Sequence, residues 1–152
     1  MKPNRFMLAL AALCFAAGGA SAQQTDGKSV APKTYKAYMV SDAHLDTQWN
    51  WDVQTTIREY IPRTLFQNLS LMERFPDYRF SFEGGVVYSW MKEYYPMHYE
   101  RMKKYIASGQ WHIAGASWDA NDPNMPSAES FFRNILLGQE FYKKEFGVRS
   151  TD

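Results

Sequence analysis

The sequence predicts an α/β fold built from parallel βαβ units, and three observations carry that expectation. Short β-rich runs alternate with segments whose apolar residues recur at helical spacing. The connections are short, as strand–helix–strand units require. Helix ends are marked where the alternation needs them, with Ser127 as an N-cap and Gly109 and Gly147 as C-terminal stops.

Tyr35 to Val40 (YKAYMV) is the first strand expected. Thr55 to Phe75 follows with Ile57, Ile61, Leu65, Leu69 and Met72 mostly four apart, a helical period. Pro62 lies inside that pattern, so it should start or kink a helix, leaving Asp52 to Ile61 as a separate first turn. Tyr78 to Phe82 (YRFSF) is the second strand, and Val86 to Ser108 is helical with a break at Pro96. Gln110 to Ser117 (QWHIAGAS) is the third strand, and Ala128 to Phe146 is the last helix. Parallel sheets are covered on both faces, and three units neither close a barrel nor complete an open sheet. With Val148 to Asp152 standing where a fourth strand would begin, the chain reads as cut in mid-domain.

Ahead of this domain, residues 1–22 (MKPNRFMLALAALCFAAGGASA) have a basic start, an apolar run from Phe6 to Ala17 and the small-residue end Ala20-Ser21-Ala22. That three-part pattern is a secretory signal peptide, with an apolar run too short to span a bilayer. Export to the periplasm or the medium is therefore expected, with no transmembrane segment in the mature chain. Residues 23–34 form a polar linker with Gly27 and Pro32, and residues 35–152 are the folded region. Cleavage would remove Cys14, the single cysteine, so neither a disulfide nor thiol chemistry would remain.

Seventeen Lys and Arg against sixteen Asp and Glu give +1, and loss of Lys2 and Arg5 leaves −1. Nucleic-acid partners select a strongly basic face, which this balance does not supply. Aromatic residues make up 16% of the chain, and all five tryptophans fall between Trp49 and Trp118. Such enrichment suits a deep core or a surface that stacks on sugar faces.

In a parallel sheet, ligands bind at the carboxyl ends of the strands. Those ends hold Asp42, His44, Asp46 and Trp49 after the first strand, Glu83 after the second, and Trp118, Asp119 and Asp122 after the third. His44 and Asp46 are two apart and leave an extended strand on one face. An imidazole nitrogen and a carboxylate oxygen converging there are suitable zinc ligands. Asp122, in the fixed turn NDPNMP, is a candidate third ligand, and equally a turn-forming residue. Glu83 is ambiguous, and His98 and His112 read as packing residues. No nucleophile elbow, phosphate loop or dinucleotide glycine pattern is present.

Four motifs in order, HLDTQW with His44, Asp46 and Trp49, then YSWMKEYYP, SGQWHIAGASW and DPNMPSAESFFRNILLGQEF, resemble the N-terminal catalytic region of family 38 glycoside hydrolases, the retaining α-mannosidases. The likeness runs from about Tyr35 to Val148. It implies an α/β barrel-like domain with one zinc ion at the carboxyl end of its sheet. By resemblance His44 and Asp46 are zinc ligands, Asp122 is both ligand and catalytic nucleophile, and Trp49 lines the sugar subsite beside the cleaved bond. The implied substrate is a glycan with terminal α-linked mannose. A retaining glycosidase pairs its nucleophile with an acid/base carboxyl about 5–5.5 Å away. The family's acid/base and its fourth zinc ligand, a histidine, are expected beyond Asp152, so the fragment alone would be inactive. The family's glycine pair before the nucleophile stands here as Gly115-Ala116. A non-catalytic exported mannoside-binding protein and a zinc-dependent carbohydrate deacetylase are the alternatives.

Overall fold

A computed structural model describes residues 34–152, so the expected signal peptide and almost all of the linker lie outside the described residues. Three short strands, β1 (Ser41–Ala43), β2 (Phe80–Phe82) and β3 (Trp111–Ile113), pair in parallel in the order β1-β2-β3. Helices connect them: α1 (Val53–Thr55), a π-helical segment (Thr56–Tyr60) and α2 (Ile61–Arg74) precede β2. Then α3 (Gly85–Tyr94) and α4 (Pro96–Ser108) precede β3, and α5 (Ala128–Phe146) follows it. The α/β expectation holds, with a small open sheet among the described residues.

The strand expected at Tyr35 to Val40 is not formed; β1 begins at Ser41 instead, paired with Phe80. The reason is the missing partner. Upstream of Phe80 the chain is still turning out of α2, with the Tyr78 N–H bonded to the Phe75 carbonyl at 3.0 Å, and among the described residues no strand pairs with Tyr35 to Val40. Tyr38, Met39 and Val40 are left exposed. The third strand is also shorter than expected, ending at Ile113 before Gly115, whose φ of 64° turns the chain out of line.

Pro62 stands in the first turn of α2, as expected of a proline that starts a helix, and α1 and the π segment form the separate stretch before it. The proline's missing N–H and its ring exclude an ordinary turn against the Arg58 carbonyl. The π segment accommodates this, with the Ile61 N–H reaching back five residues to Thr56. Asp52 caps the entry, its carboxylate accepting the Thr55 N–H at 2.8 Å. Pro96 separates α3 from α4 as expected, and Ser127 caps α5 by accepting the Ser130 N–H.

The helices cover one face of the sheet. Phe80, Phe82, Trp111 and Ile113 point into a core with Leu65, Leu69, Val87, Met91, Met102 and Tyr142. Trp111 is fully buried, yet its indole N–H donates to the Tyr88 hydroxyl at 2.8 Å, which donates in turn to the Phe82 carbonyl at 2.9 Å. Deleting a buried aromatic of this size costs about 3–5 kcal/mol, so this chain of contacts binds β3 and β2 firmly to α3. The register aligns Asp42, Ser81 and His112 in one row on the opposite face. This corrects the expectation that His112 packs in the core: it stands on the face without helices and pairs with Asp152 at 2.6 Å. His98 does pack, its ring 4.2 Å from that of Phe66. Among the described residues no helix is long and apolar enough to cross a membrane.

Glu145 on α5 joins this helix to α3 and α4. Its carboxylate accepts from Lys92 Nζ at 2.7 Å and from the Tyr99 hydroxyl at 3.2 Å. Burial by itself pushes the Glu145 pKa up, but these donors outweigh it and hold the carboxyl below the ordinary range. A depressed carboxylate stabilises the fold above the unfolded-state pKa and loses that contribution as pH falls through the folded-state value. Glu145→Gln should therefore cost about 1–2 kcal/mol in urea unfolding at neutral pH, and the difference from the native protein should shrink below about pH 4.

Candidate functional site at the carboxyl ends of the strands

The loop after β1 is held in place before it presents any chemistry. Fully buried Thr56 donates its hydroxyl to the Thr47 carbonyl at 2.7 Å and accepts the Trp51 indole N–H at 2.7 Å. Trp51 also stacks on Tyr60, ring centroids 4.6 Å apart, so it is a packing residue, as Asp52 is a capping one. Trp49, between these anchors, is 70% exposed. An exposed ring on an anchored loop is available as a stacking platform.

His44 and Asp46 are brought together as the two-residue spacing predicts, His44 Nε2 lying 3.3 Å from Asp46 Oδ1. The other ring nitrogen, Nδ1, lies 3.2 Å from Glu83 Oε1 at the end of β2. Glu83 is the residue that reading the sequence left ambiguous, and no local signal links positions 39 apart. Its hydrogen bond, seconded by the charge of Asp46, raises the His44 pKa above the ordinary imidazole range despite the opposing effect of burial. His44 and Glu83 line a cleft of ≈ 400 Å³ with Gly115, Ala116, Ser117, Ala120, Asn121, Ile135 and Asp152.

The exit from β3 forms the far side and is clamped by backbone. Gly85 N–H donates to the Ser117 carbonyl at 3.2 Å, Val86 N–H to Trp118 at 2.8 Å, and Trp118 N–H to the Asn134 carbonyl at 2.9 Å. Asn134 on α5 also grips Asp119, its side chain bonding both the Asp119 N–H at 3.0 Å and the Asp119 carbonyl at 2.9 Å. Asp119 Oδ2 in turn accepts from the Thr47 hydroxyl at 3.2 Å, tying the β3 and β1 exits together. Thr47 and Asn134 fall within the HLDTQW and DPNMPSAESFFRNILLGQEF motifs, but nothing in the sequence links the two positions through Asp119.

Asp122 is not drawn into contact with His44 and Asp46. It is exposed, and its carboxylate accepts the Asn124 N–H at 3.0 Å as part of its own turn. It lines a second cleft of ≈ 450 Å³, which shares Ala120 and Asn121 with the first. Among the described residues no three His, Cys, Asp or Glu side chains converge as a metal cage. Two donors do fit one ion. Zinc bonds of about 2.0–2.2 Å in tetrahedral array set neighbouring ligand atoms about 3.3–3.6 Å apart, the separation found between His44 and Asp46.

Residues 34–152 match the family model described as the N-terminal domain of glycosyl hydrolases family 38. Alpha-mannosidase G of Dictyostelium discoideum is 36% identical over 117 residues, which are 77% of this chain and 11% of that protein. Human alpha-mannosidase 2C1 is 32% identical over 138 residues, or 91% of this chain and 13% of that one. The crystal structure of an alpha-mannosidase from Enterococcus faecalis V583 superposes with a TM-score of 0.61 at 27% identity, over 70% of this chain and 12% of that chain. The chain thus spans about a tenth of the length of the relatives it matches.

Proposed function

Because the chain belongs to glycoside hydrolase family 38, whose N-terminal domain its residues 34–152 match, we propose that it is part of the catalytic region of an exported, zinc-dependent, retaining α-mannosidase. The three-stranded sheet is then one arc of a larger barrel-like domain. His44 and Asp46 are two zinc ligands and Asp122 a third. Terminal α-linked mannose is the substrate, with Trp49 stacking on the ring.

The observation that carries this reading is the His44–Asp46 pair, donor atoms 3.3 Å apart at the carboxyl end of a parallel strand. That is where α/β folds bind ligands. Trp49 would hold the sugar by its apolar face, leaving the hydroxyls free for polar partners. Asp122 would attack the anomeric carbon, forming a glycosyl–carboxylate ester as the leaving oxygen takes a proton from a separate acid; water then hydrolyses the ester. Bound zinc would orient the sugar hydroxyls and stabilise developing charge. The brace from Thr47 through Asp119 to Asn134 keeps the two strand exits in register.

Incubation of the full protein with an aryl α-mannoside, followed by proton NMR of the released sugar, tests the assignment. A retaining enzyme releases α-mannose first, which mutarotates later. Initial β-mannose would overturn the retaining assignment, and no release would overturn the activity.

A further inference from the structure

We propose that Glu83 is a positioning residue that fixes the tautomer and orientation of His44. The inference rests on the zinc reading for its consequence and on the geometry of this chain for its substance. Glu83 is the first residue after β2, and its Oε1 lies 3.2 Å from His44 Nδ1. Nε2 of the same ring faces Asp46 at 3.3 Å. Both ring nitrogens face carboxylates, which have no proton to give, but only the Nδ1–Glu83 contact has hydrogen-bond geometry, so the single proton of a neutral ring belongs on Nδ1. The lone pair of a neutral ring is then on Nε2, the nitrogen turned toward Asp46. Which imidazole nitrogen binds a metal is set by the hydrogen bond that the other nitrogen makes.

The neighbouring backbone supports the same assignment. Gly115, at the exit of β3, has φ of 64°, and a Cβ added there would stand 3.1 Å from Glu83 Oε2 and 3.4 Å from Glu83 Cβ. Glycine at 115 therefore leaves the room that the Glu83 side chain occupies. On the other side Gly84, with φ of 92°, turns the chain directly into α3. The stem of Glu83 is thus placed by β2, by the turn into α3 and by the close approach of β3, which brings its carboxylate beside the imidazole. Glu83 touches neither reacting atoms nor, in this assignment, the ion itself, and it acts through His44.

The test uses the full protein labelled with 15N-histidine, as native sequence, Glu83→Ala and Glu83→Gln, with His44→Gln to identify the His44 resonances. Two quantities are read: the imidazole 15N shifts in alkaline buffer, where the ring is neutral, and the zinc dissociation constant by chelator competition. Glu83→Ala should move the metal-free ring away from the Nδ1-protonated tautomer and weaken zinc about 10–100-fold. Glu83→Gln keeps an acceptor oxygen on the same stem, so it should restore the native tautomer and come within a few-fold of native affinity. A Glu83→Ala protein with native 15N shifts would overturn the inference. If zinc leaves the His44 resonances of the native protein unmoved, the zinc reading fails. Glu83's hold on the ring is still decided by the metal-free spectra.

Discussion

If Asp122 is the nucleophile as proposed, Asp122→Asn is expected to lower hydrolysis of an aryl α-mannoside by the full protein at least about a thousandfold, because it replaces a carboxylate with an amide that is not nucleophilic. In the metal-stripped protein the same substitution should leave folding almost untouched. Asp122 is exposed, and its hydrogen bond runs to the Asn124 N–H, which an asparagine oxygen accepts equally well. The pairing of a large kinetic loss with an unchanged urea midpoint separates a chemical role from a structural one. The turn-forming reading of Asp122 predicts the opposite, with activity retained. Activity retained in Asp122→Asn would remove the residue from the nucleophile's place.

Gly138→Ala should destabilise the protein by about 1–3 kcal/mol, although the usual effect of this change within a helix is a gain of about 1 kcal/mol. Gly138 lies in the middle of α5, where the helix runs against the β3 exit. A Cβ there would stand 2.3 Å from the Ala116 carbonyl oxygen, 2.4 Å from the Ser117 carbonyl carbon and 2.6 Å from the Trp118 nitrogen. All three are main-chain atoms, so no side chain can rotate away, and helix and segment must move apart. That motion strains the Trp118 N–H bond to the Asn134 carbonyl and the Asn134 grip on Asp119. Mannoside hydrolysis should fall together with the urea midpoint, since the displaced segment leads directly to Asp119 and Asp122. A stabilised Gly138→Ala protein would show that α5 and the β3 exit are not in the contact described.

What the sequence revealed of the fold follows the range of the physics involved. Helix ends are local events, and Ser127, Gly109, Gly147 and Pro96 mark the boundaries of α3 to α5 within a residue or so. Strands depend on a partner elsewhere in the chain. The apolar run Tyr35 to Val40 has strand composition but no paired strand among the described residues, while Ser41–Ala43, with little β character, pairs with Phe80–Phe82. His112 departs from its expected packing for the same reason, since which side of β3 faces the helices is decided by packing rather than by its own neighbours in sequence. In the site, the His44–Asp46 contact was legible because two-residue spacing is a local property. The contacts of Glu83 with His44 and of Thr47 with Asp119 join distant positions and left no trace in the sequence. The resemblance in motifs, rather than periodicity, pointed to the family that residues 34–152 match.

On the proposed function, the end of β1 supplies two ligands to a zinc ion in an α-mannosidase site. Titration of zinc into the metal-stripped full protein, by calorimetry, tests it most directly when the native sequence is compared with His44→Ala and Asp46→Ala. The native protein should bind one ion, each variant should bind it far more weakly, and mannoside hydrolysis should return with zinc in the native protein alone. Native-strength binding of zinc in both variants would place the metal elsewhere and contradict the account.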